Sequence, residues 1–160
     1  MMKEAIRFIY RQARKFRRKH PLTIAFRLKA HSKILAKHLN NGEKIRFVFA
    51  AQKGPSSYDI VSTYVIAITD KRIMIARKRL LFGYFFLAIT PELFNDIKVK
   101  MGLIWAKIEI DTVKEFIVLS NIQSSAAAEI ETAITQYVMK EKRRMKKPGS
   151  LSSSVGDVQN

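Results

Sequence analysis

The sequence predicts a mainly β domain, an antiparallel barrel or sandwich of seven short strands with helices at both ends of the chain. Three observations predict it. Up to Asn41-Gly42 the apolar residues recur every three or four positions, and beyond it every second position. Turn signals then interrupt the alternation at close intervals. From Ser124 the helical period returns and runs to Lys146.

Residues 3–19 read as a helix. Met2, Ile6, Ile9, Ala13 and Phe16 make an apolar stripe, and Arg7, Arg11, Arg14 and Arg18 follow the same spacing on another face. His20-Pro21 ends it, because a residue before proline avoids the α region. A second helix is expected from Leu22 to Leu39, with Ile24, Leu28, Leu35 and Leu39 as its stripe and Asn41-Gly42 as its stop. Together these form a basic helical arm, residues 1–41.

The first strand alternates Ile45, Phe47, Phe49 and Ala51 with Lys44 and Arg46 until "QKGPSS" breaks it. Strands are expected at Tyr58–Thr69, Arg72–Ala76 and Tyr84–Ile89. Thr90-Pro91 then marks one turn, with Thr90 placed to cap and Pro91 at the first position. Ile97, Val99 and Met101 oppose Lys98 and Lys100; Gly102 turns the chain; Ile104, Ala106, Ile108 and Ile110 oppose Lys107 and Glu109; Asp111-Thr112 turns into Val113–Leu119. The closing helix, Ser124–Lys146, puts Ala127, Ile130, Ile134, Tyr137 and Val138 on one face, with Ser124 and Ser125 placed to cap its start. Its basic end suits the helix dipole. Residues 147–160 read as a disordered polar tail.

Charge bounds the function. The 160 residues hold 30 Lys+Arg against 13 Asp+Glu, for a net +17. Such a balance draws a protein towards nucleic acid, anionic lipid or an acidic protein. Residues 1–20 carry eight Lys or Arg and one Glu. Cysteine is absent, which excludes disulfides, thiolate nucleophiles and Cys-based zinc sites. The start offers no continuous apolar signal segment, and the longest apolar run, Leu80–Ile89, is about half of the ~20 residues a membrane span needs. A cytoplasmic protein, peripheral at the inner membrane leaflet, is the expectation.

Two basic clusters share one stretch, "STYVIAITDKRIMIARKRLLFGYFF". Asp70-Lys71-Arg72 reads as a hairpin turn: Asp70 accepts from the amides that follow it, and Arg72 starts a strand facing solvent. Arg77, Lys78 and Arg79 lie at the other end of that strand. In an up-and-down meander Lys53 shares their rim, and Leu80, Leu81 and Phe82 follow as apolar tips. The blander reading makes these cations gatekeepers of an apolar hairpin. Catalysis finds no support: no phosphate-binding glycine loop, nucleophile elbow or carboxylate pair is present. His31 and His38 stand two helical turns apart, about 10 Å, too far for one metal. Trp105 alternates out of phase with Ile104 and Ile108, which places it on the outer face, over a helix or in a subunit interface.

The segments "GEKIRFVFAAQ", "YVIAITDKRIMIARKRL", "FNDIKVKMGLIWAKIEI" and "KEFIVLSNIQSSAAAEIETAI", in that order, resemble the bacterial pleckstrin-homology-like (PH-like) family, over residues 42–143. "TDKRIMI" is also similar to the related GRAM domains. The resemblance implies a seven-stranded PH-like barrel closed by a C-terminal helix, here residues 42–146. It also implies a non-enzymatic binding role without a cofactor. Two features depart from the phosphoinositide-binding pattern. Lys53 is the only cation between Ala50 and Ile68, and the closing helix has Tyr137 where such domains tend to have tryptophan.

The expectation is therefore an adaptor that associates with anionic membrane lipid. Its contacts are Arg7, Arg11, Arg14 and Arg18 in the arm and Lys53, Arg77, Lys78 and Arg79 on the rim. The alternatives are a homo-oligomerising protein-interaction domain, with the helices and Trp105 in the interface, and RNA binding through Phe8, Tyr10 and Phe16 interleaved with arginine.

Overall fold

The computed structural model describes residues 1–54 and 62–146. Helix α1 is Met2–Lys19 and α2 is Leu28–His38. The strands are β1 Ile45–Lys53, β2 Thr63–Thr69, β3 Ile73–Lys78, β4 Tyr84–Ile89, β5 Phe94–Met101, β6 Trp105–Thr112 and β7 Phe116–Gln123. Helix α3, Ser124–Lys146, follows β7 directly. The strands form one antiparallel sheet in the order β4-β3-β2-β1-β7-β6-β5, curled into the expected PH-like half-barrel with β4 and β5 as edges. The expected start of the second strand at Tyr58 and the polar tail lie outside the described residues.

The sheet has a core on each face. Phe49, Ile66, Ile68, Ile73, Ile75, Ile108, Ile110 and Leu119 point inward and meet Ile130, Ile134 and Val138 of α3. The alternate residues Val48, Ala50, Val65, Ala67, Met74 and Ala76 point outward and meet Ile9, Ala13, Leu28 and Leu35 of α1 and α2. Successive strand residues point to opposite faces, so β2 is buried at every position. That is why "TYVIAIT" is apolar throughout while β5 and β6 alternate. The helices are a second layer on the barrel. Ile9 and Leu35 are fully buried, and each such side chain contributes about 1.5–3 kcal/mol by leaving water.

The N-terminal layer also enters the barrel seam. Among the described residues β1 pairs with β7 at its end, Gln52–Ser120 and Lys53–Leu119. A bulge in β7 against β6, with Asn121 at φ 55, bends the strand away. Asparagine tolerates that left-handed conformation better than most residues. The amide of Ile24 donates to the freed Asn121 carbonyl at 2.9 Å, and the amide of Gln123 donates to the Thr23 hydroxyl at 3.0 Å. Phe16 reaches the inner core beside Phe47 and Phe49.

These contacts correct the expected second helix. Residues 22–26 are claimed by β7 and β2: besides Ile24, the amides of Leu22 and Phe26 donate to the Gln123 Oε1 and the Thr63 hydroxyl. The helix therefore starts at Leu28, after Arg27. The last strand also runs later than expected, Phe116–Gln123, because Val113–Glu115 form the preceding turn, with the Thr112 amide donating to the Glu115 carbonyl. The turn at Pro91–Leu93 is found as expected, without a side-chain cap from Thr90. The Ser124 and Ser125 hydroxyls make tertiary contacts, to the Gly102 carbonyl and to His20. Gly102 must be glycine, since a Cβ there would lie 2.6 Å from the Trp105 carbonyl oxygen.

The β2–β3 hairpin differs in its chemistry. Thr69, not Asp70, accepts from the amides of Lys71 and Arg72, while Asp70 accepts from the Lys44 amide. Arg72 does not face solvent. Its guanidinium donates to both Glu43 oxygens at 3.0 Å and to the His38 carbonyl at 2.6 Å. Burial pushes the Glu43 carboxyl up, but hydrogen bonds from Arg72, the Asn40 amide and the Thr69 hydroxyl outweigh it and hold it below the ordinary carboxylate range.

Candidate functional site

The strand registers place Lys53, the end of β3 and the β6–β7 turn at one mouth of the barrel. Gln52 pairs with both Thr63 and Ser120, Val65 pairs with Ala76, and the Gly54 amide donates to the Val118 carbonyl. A small pocket of about 170 Å³ opens there among Lys53, Tyr64, Phe85 and Phe116. The Arg77 guanidinium lies 5.6 Å from the centre of the Tyr64 ring. Burial of Tyr64 raises its hydroxyl pKa, an effect that Arg77 partly offsets.

From this mouth the β3–β4 hairpin projects. The Arg79 amide donates to the Gly83 carbonyl at 3.2 Å, and Gly83 supplies the positive φ of 72° the tight loop needs. The Lys78 ammonium is held on the same carbonyl at 3.1 Å. The tip is apolar and open to solvent: Leu80, Leu81 and Phe82 are 60%, 79% and 86% exposed. Val113 and Phe116 add exposed apolar surface at the same mouth.

A second concavity lies between α1 and α2. It is a groove of about 900 Å³ lined by Tyr10, Arg14, Arg17, Arg18, Phe26, Arg27, Lys29 and Lys33, among others. A hydrogen bond joins groove and hairpin: Arg27 donates from Nη1 to the Lys78 carbonyl at 3.3 Å. Arg27 does so from a left-handed backbone, φ 52°, at the start of α2. Directly beneath, the Lys78 amide donates to Nδ1 of the buried His31 at 2.9 Å. Burial, then Arg27 and Arg77, lower the His31 pKa to about 4.

A bacterial PH domain model matches residues 39–136, more than half of the chain. The chain belongs to the bacterial PH domain family. No curated protein matches it. Among solved structures, it is similar to a pleckstrin homology domain from Shewanella amazonensis, at 15% identity and a TM-score of 0.48, covering 66% of this chain and 93% of that one. It is also similar to a protein with a pleckstrin-homology domain from Shewanella loihica, at 10% identity and a TM-score of 0.44, covering 68% of this chain and 87% of that one.

In this bacterial PH domain the residues singled out from sequence fall into three places. Lys53, Arg77, Lys78 and Arg79 are gathered at the mouth, but Arg77 packs on Tyr64 and Lys78 on the hairpin backbone, which leaves Arg79 as the fully projecting member of the triplet. Arg14 and Arg18 line the groove. Arg7 and Arg11 are exposed on α1 outside it. Sequence reasoning missed Arg17, Arg27, Lys29 and Lys33. The available signal was the absence of any Asp or Glu between Glu4 and Glu43.

Phe16 is buried and Tyr10 is half-buried beside Arg14, so α1 presents only Phe8 as an exposed ring. Trp105 lies on the outer face and donates to the Leu22 carbonyl at 2.8 Å, over the α1–α2 connector. Among the described residues no three His, Asp or Glu side chains are grouped to hold a metal. No described helix is long and apolar enough to cross a membrane.

Proposed function

We propose that this bacterial PH domain is a non-enzymatic adaptor that docks on the anionic inner leaflet of the membrane. The observation that carries the reading is the β3–β4 hairpin: three consecutive exposed apolar side chains, Leu80, Leu81 and Phe82, directly behind Arg77-Lys78-Arg79. Exposed apolar runs are a liability in a purely soluble role. Next to cations they suit an interface where the tips enter the acyl region and the charges meet headgroups. The arginines of α1 and of the α1–α2 groove extend the positive field, and each cation near such a surface contributes about 1 kcal/mol, falling within a Debye length. The experiment is co-sedimentation with anionic and neutral vesicles at two salt concentrations. Pelleting with anionic vesicles at low salt supports the reading, and its absence there overturns it.

A second reading, self-association, draws on a different feature. The β5–β6 hairpin exposes Met101, Leu103 and Ile104, with Leu103 at 99%, beside the edge strand β5. Sedimentation velocity over a concentration series distinguishes it. A constant monomer mass removes this reading.

A further inference from the structure

The groove between α1 and α2 belongs to the face proposed to meet the membrane, and a ligand site in it rests on that reading. Its cations lack counter-charges. Arg14, Arg17, Arg18, Arg27, Lys29 and Lys33 surround about 900 Å³, and among the described residues none of them forms an ion pair. Lys19, just past the groove, shows the contrast, meeting Glu129 at 2.8 Å. No Asp or Glu occurs between Glu4 and Glu43, and Glu4, in the first turn of α1, pairs with the N-terminal ammonium, so the two helices and their connector leave the groove cations without an acid beside them. Like charges around one concavity repel one another, and the concave wall focuses their field on whatever enters.

The composition is specific as well as positive. Four of these cations are arginines, whose planar forks match phosphate oxygens two at a time. Two are held in place before any ligand arrives: Arg14 over the Tyr10 ring at 5.6 Å, and Arg27 on the Lys78 carbonyl. Arg27 occupies a strained left-handed conformation to do so, the kind of cost that gathers at binding sites. The first turn of α2 contains no acid and no side-chain cap, so Arg27 and Lys29 sit at the positive end of its dipole. A bound anion relieves the charge repulsion and the uncapped helix end together.

We propose that the groove is a stoichiometric site for a single phosphorylated lipid headgroup, with a phosphomonoester dianion as the recognised chemistry. A lipid suits it better than a nucleic acid because its rim is apolar. Phe26 is exposed in its lining, and Arg27 ties it to the strand end that carries the Leu80–Phe82 hairpin. Of the two rings in the groove lining, Tyr10 lies under Arg14, which leaves Phe26 as one exposed ring and no row on which successive bases stack.

The test uses the full chain in two arms. One is calorimetric titration with inorganic pyrophosphate. The other is co-sedimentation with vesicles of phosphatidic acid or phosphatidylglycerol in phosphatidylcholine, matched in surface potential. The expected results are saturation at one pyrophosphate per chain and about tenfold tighter binding to phosphatidic acid, one such factor being the scale of a single charge-assisted hydrogen bond. Arg17→Gln combined with Lys33→Gln, both exposed, abolishes saturation and preference. Lys71→Gln combined with Lys98→Gln, which removes the same charge from exposed sites outside the groove lining, keeps both. Anionic vesicle binding that follows surface potential alone, with no pyrophosphate saturation, overturns the headgroup site and leaves the membrane reading standing. Pyrophosphate saturation without binding to any vesicle overturns the lipid source. Binding to neither overturns both.

Discussion

The backbone amide of Lys78 donates to Nδ1 of His31, across 2.9 Å and from β3 to α2. An imidazole nitrogen that accepts an N–H bond carries no proton, so His31 is neutral with its proton on Nε2. Together with the Arg27 bond to the Lys78 carbonyl, this contact joins the basic strand end to the helical layer. Burial and the neighbouring Arg27 and Arg77 guanidinia keep the ring neutral down to about pH 4.

Stability should therefore depend on pH. The folded His31 pKa lies below the ordinary value of 6.5, so the unfolded chain binds the extra proton first. The stability is complete above pH 6.5 and is lost as pH falls towards 4, by up to roughly 3 kcal/mol. His38 adds to the same trend, its pKa lowered by burial and by Lys37 and Arg72. Denaturant midpoints between pH 7.5 and 4 measure this. His31→Gln, which keeps an acceptor without titrating, is expected to flatten the curve. An unchanged slope would show that His31 is not the group responsible.

The Glu43–Arg72 pair should be costly to split. The Glu43 side chain is fully buried and the Arg72 side chain is 17% exposed. Removing one partner of such a pair costs about 3–5 kcal/mol, because the other charge stays buried. Arg72→Ala is expected to lower stability on that scale in urea denaturation. A loss under 1 kcal/mol would mean that the Thr69 hydroxyl and the Asn40 amide suffice for the carboxylate.

The helical layer is structural as well as basic. Ile9→Ala should cost about 2–5 kcal/mol and Phe16→Ala about 3–5 kcal/mol, since both leave cavities against the sheet. Urea denaturation of the two variants checks this, and losses below 1 kcal/mol would show that α1 is held only at its surface. Removal of residues 1–20 would uncover both cores, so the arginines are better tested one at a time.

Salt should separate the two halves of the membrane contact. Leu81→Ser and Phe82→Ser remove apolar insertion without adding a charge, so vesicle binding is expected to fall about tenfold or more each at every ionic strength, as loss of part of a 1.5–3 kcal/mol burial requires. Arg79→Gln removes a screened charge, and its effect should shrink as salt rises. If the hairpin changes are also erased by salt, the tips do not enter the bilayer. Thermal melting should be unaffected, because all three side chains are exposed.

The barrel was legible because β strands write their burial with a period of two and α3 writes its own with a period near four. The succession of seven strands and the outward Trp105 come from that, and the Asp70-Lys71 turn from polar residues between two apolar runs. The connector 22–26 was not legible, because its amides are satisfied by Asn121, Gln123 and Thr63, partners far along the chain. Arg72 looked like a turn cation because Glu43 lies 29 positions before it. The groove was hidden for the same reason: Arg14 and Arg18 repeat along one helix, but Arg27 and Lys33 join them only when α2 folds back.

Membrane docking is tested most directly by whether Phe82 enters the bilayer. The chain contains no cysteine, so Phe82→Cys places a polarity-sensitive dye at one position only. Docking through the hairpin predicts a blue-shifted emission on anionic vesicles at low salt and none on neutral vesicles. An unchanged emission on anionic vesicles at low salt would contradict it.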